Sequence, residues 1–410
     1  MLKKISSAQL KPGMYLHELC SEWIANPFWQ KSFLLVEQDS IDKILAAQIS
    51  EAWIDTALGD DVAAPSVSGH QSAVLAAPVA ALPRLDDIVP VSMSDELGRA
   101  GRIVDNSRRA VASMFRDARM GNAVGTAEAM PVVEEIAASV MRNPGALIGL
   151  VRLKSVDDYT YMHSVAVCAL MIALARQLGR ADAETRELGM AGLLHDIGKM
   201  AIATEILQKP GKLTDTEFTT IKTHPEAGLQ MLEHAEGISA LVRDVCLHHH
   251  EKMDGSGYPE GLAGAQISLP ARMGAVCDVY DAITSDRPYK RGWCPAEALQ
   301  KMSTWAPAHL DPEVFQAFVR SVGIYPVGTL VRLTSGRLGV VVEQSSGKSL
   351  LLPKVRVFFS TRSKVYIPVE LVDLARLGGR EQIVSREDNQ SWGLKDIDRY
   401  WRATIDARSA

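Results

Sequence analysis

The chain has 410 residues, which is enough for two or three domains, because a domain of roughly 100 to 200 residues buries a self-sufficient core. A hydrophobic fraction of 47%, a charged fraction of 23% and a net charge of −5 indicate a soluble globular protein and exclude a generic binder of nucleic acid polymers. The longest apolar run, 165–175, is far shorter than the roughly 20 residues that a membrane span requires.

Residues 1–60 alternate short apolar runs with turn signals, which predicts a small α+β module. Its basic start is followed by no sustained apolar segment, so no secretory signal is predicted. The five cysteines of the chain form no CxxC pair, and a reducing cytoplasm is the expected compartment. Ser40 is the expected cap of a helix ending near Gln48. We consider a regulatory or dimerisation role for this module, with a homodimer as the resulting assembly.

Residues 61–94 are rich in Ala, Val, Pro, Ser and Gly and predict a linker. Connecting helices are predicted in 95–144, where helical periodicity returns and stops near Pro144. Residues 145–325 show successive helical patterns without period-two alternation, which predicts an all-α domain. In 326–410, β-branched runs separated by turns predict a β-rich extension with a polar tail. The expected fold is multidomain and mainly α.

Histidines are concentrated in the predicted helical domain, where seven of the ten lie between residues 163 and 250. Side chains from different helices of a bundle can converge on a metal site in its core. Imidazole suits Fe, Mn, Zn or Ni, and a carboxylate adds charge and can bridge two ions. Any one histidine alone would more often be a satisfied core residue, but adjacent pairs favour ligation. The candidates are His163, His195, Asp196, His224, His249, His250 and Asp278.

Two motifs of this domain resemble the signatures of the HD-GYP family. They are His195-Asp196-Ile197-Gly198-Lys199 and the stretch from His249 to Pro259. Residues 278–282 and 287–290 resemble the segment that follows the second motif in that family. Its members are bacterial phosphodiesterases of the HD superfamily that hydrolyse cyclic di-GMP. The resemblance covers residues 150–325, and the flanking regions are similar, less specifically, to accessory regions of one HD-GYP subgroup.

The resemblance implies that all seven candidates bind metal, with Asp196 bridging two divalent ions, which would be iron or, alternatively, manganese. A hydroxide bridging these ions would cleave cyclic di-GMP to linear pGpG, and a second cleavage would give GMP. Lys199 is expected to meet a phosphate oxygen or the leaving group, and Arg287 and Lys290 are expected to hold phosphates. Tyr258 could stack on guanine or belong to a loop that only caps the preceding helix. In the family this loop is also associated with docking of diguanylate-cyclase (GGDEF) domains.

One position departs from the pattern of some HD-GYP proteins, which bind a third metal through an acidic residue four positions before the first histidine. Here that residue is Tyr159, and a phenol is a poor replacement for a carboxylate, so two metals are predicted. His234 and His248 match no ligand position and are predicted to be structural or surface residues.

Two alternatives stay open. One is a signalling module that binds cyclic di-GMP or a cyclase without turnover, and the other is an HD hydrolase of another nucleotide.

Overall fold

The computed structural model describes residues 2–19, 33–35, 41, 44–45, 49, 51–56, 58–60, 84–153, 159–209, 211–233, 235–286, 292–345 and 349–402. Arg287, Lys290, His234 and most of the predicted linker lie outside these residues, as does most of the helix predicted after Ser40. The chain divides into two compact units, Met1–Ala81 and Leu82–Ala410. The finer division into five segments stays a prediction.

The first unit contains a four-stranded antiparallel sheet in the order β1-β4-β2-β3. Its strands are β1 (Leu2–Ser6), β2 (Tyr15–Leu19), β3 (Phe33–Leu34) and β4 (Glu51–Asp55). Ala52 and Ile54 are buried while Glu51 is exposed, because successive side chains of a strand point to opposite faces. The buried side chains of this sheet pack with Leu35 and Ile44 into a separate apolar core.

Helices packed around one apolar core make up most of the second unit. They are α1 (Met93–Arg119), α2 (Thr126–Arg142), α3 (Pro144–Arg152), α4 (Tyr159–Gln177), α5 (Asp182–Leu194), α6 (Thr204–Leu207), α7 (Asp215–Ile221), α8 (His224–Glu233), α9 (Ala240–His248), α10 (Leu269–Thr284), α11 (Pro295–His309) and α12 (Pro312–Val322). Helix α4 is apolar on all sides and buried from Met162 to Ala175, as a helix in the middle of a core must be. Among the described helices it alone is long and apolar enough to cross a membrane, and 78% of its apolar window is buried inside the protein.

Within residues 144–322 the sequence pattern predicts α4, α5, α7, α8, α9 and α10, but it misses α3, α6, α11 and α12. Three of them begin with a proline, at Pro144, Pro295 and Pro312. Proline ends a preceding helix but suits the first position of the next, since the N–H that it lacks would have no intrahelical partner there. Asn143 stands between two such helices. It ends α2, and its side chain accepts a hydrogen bond from the N–H of Ala146 in α3.

A five-stranded antiparallel sheet follows the helices, in the order β8-β7-β6-β5-β9. Its strands are β5 (Leu330–Leu333), β6 (Arg337–Glu343), β7 (Lys354–Ser360), β8 (Val365–Asp373) and β9 (Ile383–Arg386), and the sequence pattern misses β9. Leu330 and Val340 face the helical core, whereas Val331 and Val341 face a second apolar cluster. This alternation fixes the sheet to the helices by one of its faces.

Two segments that the sequence describes as linker and polar tail are anchored to the helices. Leu85 is buried, and its N–H donates to the Asp182 carboxylate at 2.7 Å. Trp401 lies in the short helix α13 (Arg399–Arg402), is 1% exposed and contacts Gly149 of α3. Composition alone does not reveal such single anchoring residues, because the segments around them have a low overall hydrophobicity.

Candidate metal centre

The seven side chains predicted to bind metal lie together in the core of the second unit. Helices α4, α5, α8, α9 and α10 or their ends supply them, in the order His163, His195, Asp196, His224, His249, His250 and Asp278. All are buried except His250, which is partly exposed. The ligand atoms of six of them form two groups, within each of which all atoms lie within 4.8 Å of one another: His163, His195 and Asp196, and Asp196, His224, His249 and His250. Asp278 is in neither group. Asp196 belongs to both.

Each carboxylate oxygen of Asp196 faces a different group of imidazoles. Its Oδ2 is 3.4 Å from His163 Nε2 and 3.3 Å from His195 Nε2. Its Oδ1 is 3.2 Å from His224 Nε2 and 3.7 Å from His249 Nε2. A carboxylate in this position can offer one oxygen to each of two ions.

Backbone carbonyls set the tautomers of three of these histidines. His195 Nδ1 donates to the Gly192 carbonyl at 2.9 Å. His224 Nδ1 donates to the Ile221 carbonyl at 2.7 Å, and His249 Nδ1 donates to the carbonyl four residues before it at 3.0 Å. Since a neutral imidazole carries one N–H, the Nε2 atom of each keeps a lone pair on the side of Asp196. Metal-binding histidines are oriented by such hydrogen bonds.

Asp281 orients the fourth histidine, and the sequence analysis assigned it no role. His163 Nδ1 donates to Asp281 Oδ2 at 2.6 Å, and His163 Nε2 is 2.9 Å from Asp278 Oδ1. Burial alone would lower the pKa of His163, but the two carboxylates raise it above its ordinary value. The available sequence signal is spacing, because Asp281 follows Asp278 by three residues on α10 and therefore lies on the same helix face.

The protonation states of Asp196, His249 and His250 are those that bind metal. Burial would raise the pKa of the Asp196 carboxyl, but Lys199 and the adjacent imidazoles hold it well below its ordinary range. Burial and then the neighbouring imidazoles lower the pKa of His249 well below its ordinary value, and burial lowers that of His250 to about 3. At neutral pH the carboxylate is therefore charged and both imidazoles are neutral, as metal ligands must be.

Buried lone pairs test whether the residues fit a metal. Among the described residues, none forms a hydrogen bond with His195 Nε2 or Asp196 Oδ1 in good geometry, and both atoms are buried. His224 Nε2 and His249 Nε2 are only 3.4 Å apart, and neither can donate because the proton of each ring is on Nδ1. An unsatisfied buried polar atom costs about 1–3 kcal/mol. Divalent cations in the two ligand groups would satisfy all four atoms, so the residues fit a metal centre.

Glycine allows the turn that carries His195 and Asp196 to approach the start of α8. Gly198 lies in a 3₁₀ turn, Ile197–Ala201, that directly follows Asp196. A Cβ atom at this position would overlap the carbonyl oxygen of His224 and the backbone of Gly228. Only a residue without a side chain fits such a close contact between two backbones.

Lys199 and Tyr258 lie beside the centre. The Lys199 ammonium contacts Asp196 Oδ2 at 2.5 Å. The Tyr258 ring stacks on His250, with ring centroids 4.7 Å apart and planes inclined by 28°. Burial raises the pKa of the Tyr258 phenol above its ordinary value, so the phenol is neutral. The two cations predicted to hold phosphates lie outside the described residues.

Glu251 fixes the loop that carries Tyr258, a role that the sequence analysis did not predict. Its carboxylate is buried and accepts hydrogen bonds from the N–H groups of Glu260, Gly261 and Leu262 at 2.7, 3.0 and 3.0 Å. The available sequence signal for this role is an acidic residue directly after the histidine pair. The loop is therefore tied to the end of α9 through one side chain.

His248 is separate from both groups of ligand atoms, although it precedes two of their members in the chain. Its Nδ1 donates to Asp244 Oδ1 at 2.7 Å, one helical turn earlier. Its imidazole therefore pairs with a carboxylate of its own helix, as a structural histidine does.

Comparison with known proteins identifies both parts of the chain. A family model described as an HD domain matches residues 131–314, and a domain of unknown function matches residues 2–129. The chain is 55% identical over 404 residues to a cyclic di-GMP phosphodiesterase of Pseudomonas aeruginosa, which covers 98% of this chain and 96% of that protein. This chain belongs to the HD-GYP family. The resemblance and the mainly α, multidomain fold predicted from the sequence are confirmed.

Two further relatives each match less than half of this chain. A cyclic di-GMP phosphodiesterase response regulator of Xanthomonas campestris is 43% identical over 36% of this chain and 39% of its own length. A 3'3'-cGAMP-specific phosphodiesterase of Vibrio cholerae is 38% identical over 42% of this chain and 37% of its own length. These relatives are named for two different cyclic dinucleotides.

Gly198→Ala is expected to push the 3₁₀ turn away from α8 and to separate the ligand groups. We expect a loss of about 1–3 kcal/mol in the free energy of unfolding, the usual cost of overpacking, and a reduced metal content. Thermal unfolding and metal quantification by mass spectrometry measure both. Gly101→Ala in α1 is the matched control, because no atom lies within 4 Å of a Cβ there. Equal stability and equal metal content in the two variants would contradict this explanation.

Proposed function

We propose that this chain is a metal-dependent phosphodiesterase that hydrolyses cyclic di-GMP. The observation that carries the proposal is the pair of ligand groups that share Asp196 inside an HD domain. The substrate is supported by the 55% identity, over nearly the whole chain, to a cyclic di-GMP phosphodiesterase. The first cleavage opens the ring to linear pGpG, and only a second cleavage would give GMP.

The two ligand groups are proposed to hold two divalent ions, with Asp196 between them. Asp278 lies near both groups, since its Oδ1 is 2.9 Å from His163 Nε2 and its Oδ2 is 3.9 Å from His250 Nδ1. Paired ions of this kind supply a hydroxide nucleophile near neutral pH and neutralise charge on the phosphodiester. Iron is proposed from the resemblance and manganese is the alternative, because imidazole and carboxylate ligands suit both.

Lys199 and Tyr258 are proposed to act on the substrate directly. The Lys199 ammonium already contacts Asp196, and a short movement of its flexible side chain would bring it to a phosphate oxygen or to the leaving oxygen. There it would stabilise the negative charge that develops as the P–O bond breaks. Tyr258 is proposed to present its neutral ring to a guanine base. Arg287 and Lys290 are proposed to bind the phosphates.

The partners and the cellular location are also proposals. We infer a cytoplasmic enzyme, because the five cysteines form no CxxC pair. The loop from Asp254 to Pro259 is the proposed docking site for GGDEF domains, and Asp254 and Ser256 are exposed on it. The N-terminal unit is proposed to serve regulation or homodimerisation.

A second candidate substrate is 3'3'-cGAMP, because one relative is named for that specificity. The residues that would hold metal do not contact the base, so the metal centre alone does not determine which of the two substrates is preferred. A signalling module without turnover is disfavoured, because a domain that only binds its ligand has no need for a complete set of seven metal-binding side chains.

Asp196→Ala is expected to abolish hydrolysis, because it removes the one side chain common to both ligand groups. The proteins are purified without oxygen, their metal is quantified, and the products formed from cyclic di-GMP and from 3'3'-cGAMP are separated by chromatography. We expect a loss of about a thousandfold or more in kcat, as for other essential catalytic groups, and a lower metal content. Asp105→Ala, an exposed carboxylate on α1, is the control. Equal turnover by wild type and Asp196→Ala would exclude the assigned mechanism.

The wild-type protein is expected to bind two ions per chain. Tyr159 stacks parallel to His163, with centroids 5.7 Å apart and planes inclined by 8°, in the position where some family members have a carboxylate. We therefore expect Tyr159→Glu to raise the count from two to three, while Tyr159→Phe leaves it at two. Metal quantification per chain by mass spectrometry decides this, and three tightly bound ions in the wild type would show that the phenol does not limit the site.

A further inference from the structure

A lysine that the proposed mechanism does not use lies at the partly exposed side of the metal centre. Lys222 follows helix α7, and its Nζ is 4.8 Å from the centroid of the Phe218 ring and 5.3 Å from that of Tyr258. Tyr258 in turn stacks on His250. A continuous row of side chains therefore leads from a candidate ligand outward to this ammonium group.

The backbone fixes both rings beside Lys222. The Lys222 N–H donates to the Phe218 carbonyl at 3.1 Å, so these two residues are one helical turn apart and share a helix face. On the other side, the Tyr258 N–H donates to the His250 carbonyl at 3.3 Å. Cation–π attraction to two rings then holds the ammonium in place. Its position is set by the fold rather than by a carboxylate.

The charge of Lys222 has no counter-charge among the described residues. No carboxylate oxygen of these residues lies within 4.0 Å of its Nζ, whereas Lys199 pairs with Asp196 and Lys209 pairs with Glu217. The Phe218 ring is 48% exposed, so solvent reaches this part of the surface. An ammonium held by aromatic faces keeps its three N–H donors for another acceptor. Such a group suits an anionic ligand.

We propose that Lys222 binds the phosphate of the cyclic dinucleotide that is not being cleaved, and that Phe218 positions it. This inference rests on the proposed function. A cyclic dinucleotide has two phosphates on opposite sides of its ring, so only one of them can occupy the metal centre at a time. The other phosphate must lie toward the open side, where Tyr258 and Lys222 extend the centre. Lys222 thereby distinguishes a cyclic dinucleotide from a phosphodiester with a single phosphate.

Lys222→Met tests this role, because it keeps the length of the side chain and removes its charge. We expect KM for cyclic di-GMP to rise about tenfold, the usual magnitude for one hydrogen bond to a charged group, with a much smaller change in kcat. The decrease in kcat/KM is expected to be several times smaller for bis(p-nitrophenyl) phosphate, which has one phosphate. Lys222→Arg should recover most of the affinity. Lys301→Met, an exposed lysine on α11, is the matched control.

The outcomes separate this inference from the proposed function. An unchanged KM for cyclic di-GMP in Lys222→Met, or equal losses with both substrates, would refute the role of Lys222 alone. A lower metal content in Lys222→Met would also refute it, since the lysine would then act by supporting His224. A wild-type protein that cleaves bis(p-nitrophenyl) phosphate but not cyclic di-GMP would refute the proposed substrate, and the role of Lys222 with it.

Discussion

The buried carboxylate of Asp196, surrounded by imidazoles, is the interaction on which the domain depends. Buried lone pairs converge there without donors, and a cluster of this kind is stable only if cations compensate the desolvation. The hydrogen bonds that orient three of these imidazoles come from helix ends. The carbonyls that orient His195 and His224 belong to the last turns of α5 and α7, where helix carbonyls lack an intrahelical partner. His249 is oriented by the Val245 carbonyl in the last turn of α9, which also accepts from the His249 backbone N–H. The same helix ends thus supply ligands and orient them.

The residues proposed for catalysis and those proposed to select the nucleotide lie in different parts of the domain. The metal centre is buried and made of side chains that contact one another inside the bundle. The residues proposed to contact the rest of a substrate lie on its open side, on the loop that Glu251 ties down and on the turn after α7. Changes on the open side can alter the preferred nucleotide while the centre stays intact.

The sequence indicates the candidate ligands better than the residues that orient them. His195 and Asp196 stand out because polar residues adjacent to each other interrupt an apolar helix pattern. Asp281 does not stand out, since its role depends on contact with His163, 118 positions away in the chain. Lys222 is similar, because only the folded chain brings Tyr258 to its other side. Spacing along one helix is readable from sequence, whereas contacts between distant elements depend on packing.

Helix boundaries can likewise be predicted from the sequence only where a local signal is unambiguous. Helices that begin with Ser or Thr caps, such as α7 after Thr214, follow from local pattern. Those that begin with Pro295 or Pro312 do not, because proline also marks helix ends. Trp401 shows a third case, in which one buried ring anchors a polar segment whose composition predicts little structure.

Thermal unfolding with and without metal tests the central claim most directly. The metal is removed with a chelator under anaerobic conditions, and iron or manganese is then restored in stoichiometric amounts while calorimetry follows the second unit. A ligand present at 100 times its Kd stabilises the folded state by about 2.7 kcal/mol. We therefore expect the melting temperature to fall by several degrees on removal and to recover on addition. An unchanged melting temperature would show that the buried cluster does not depend on metal.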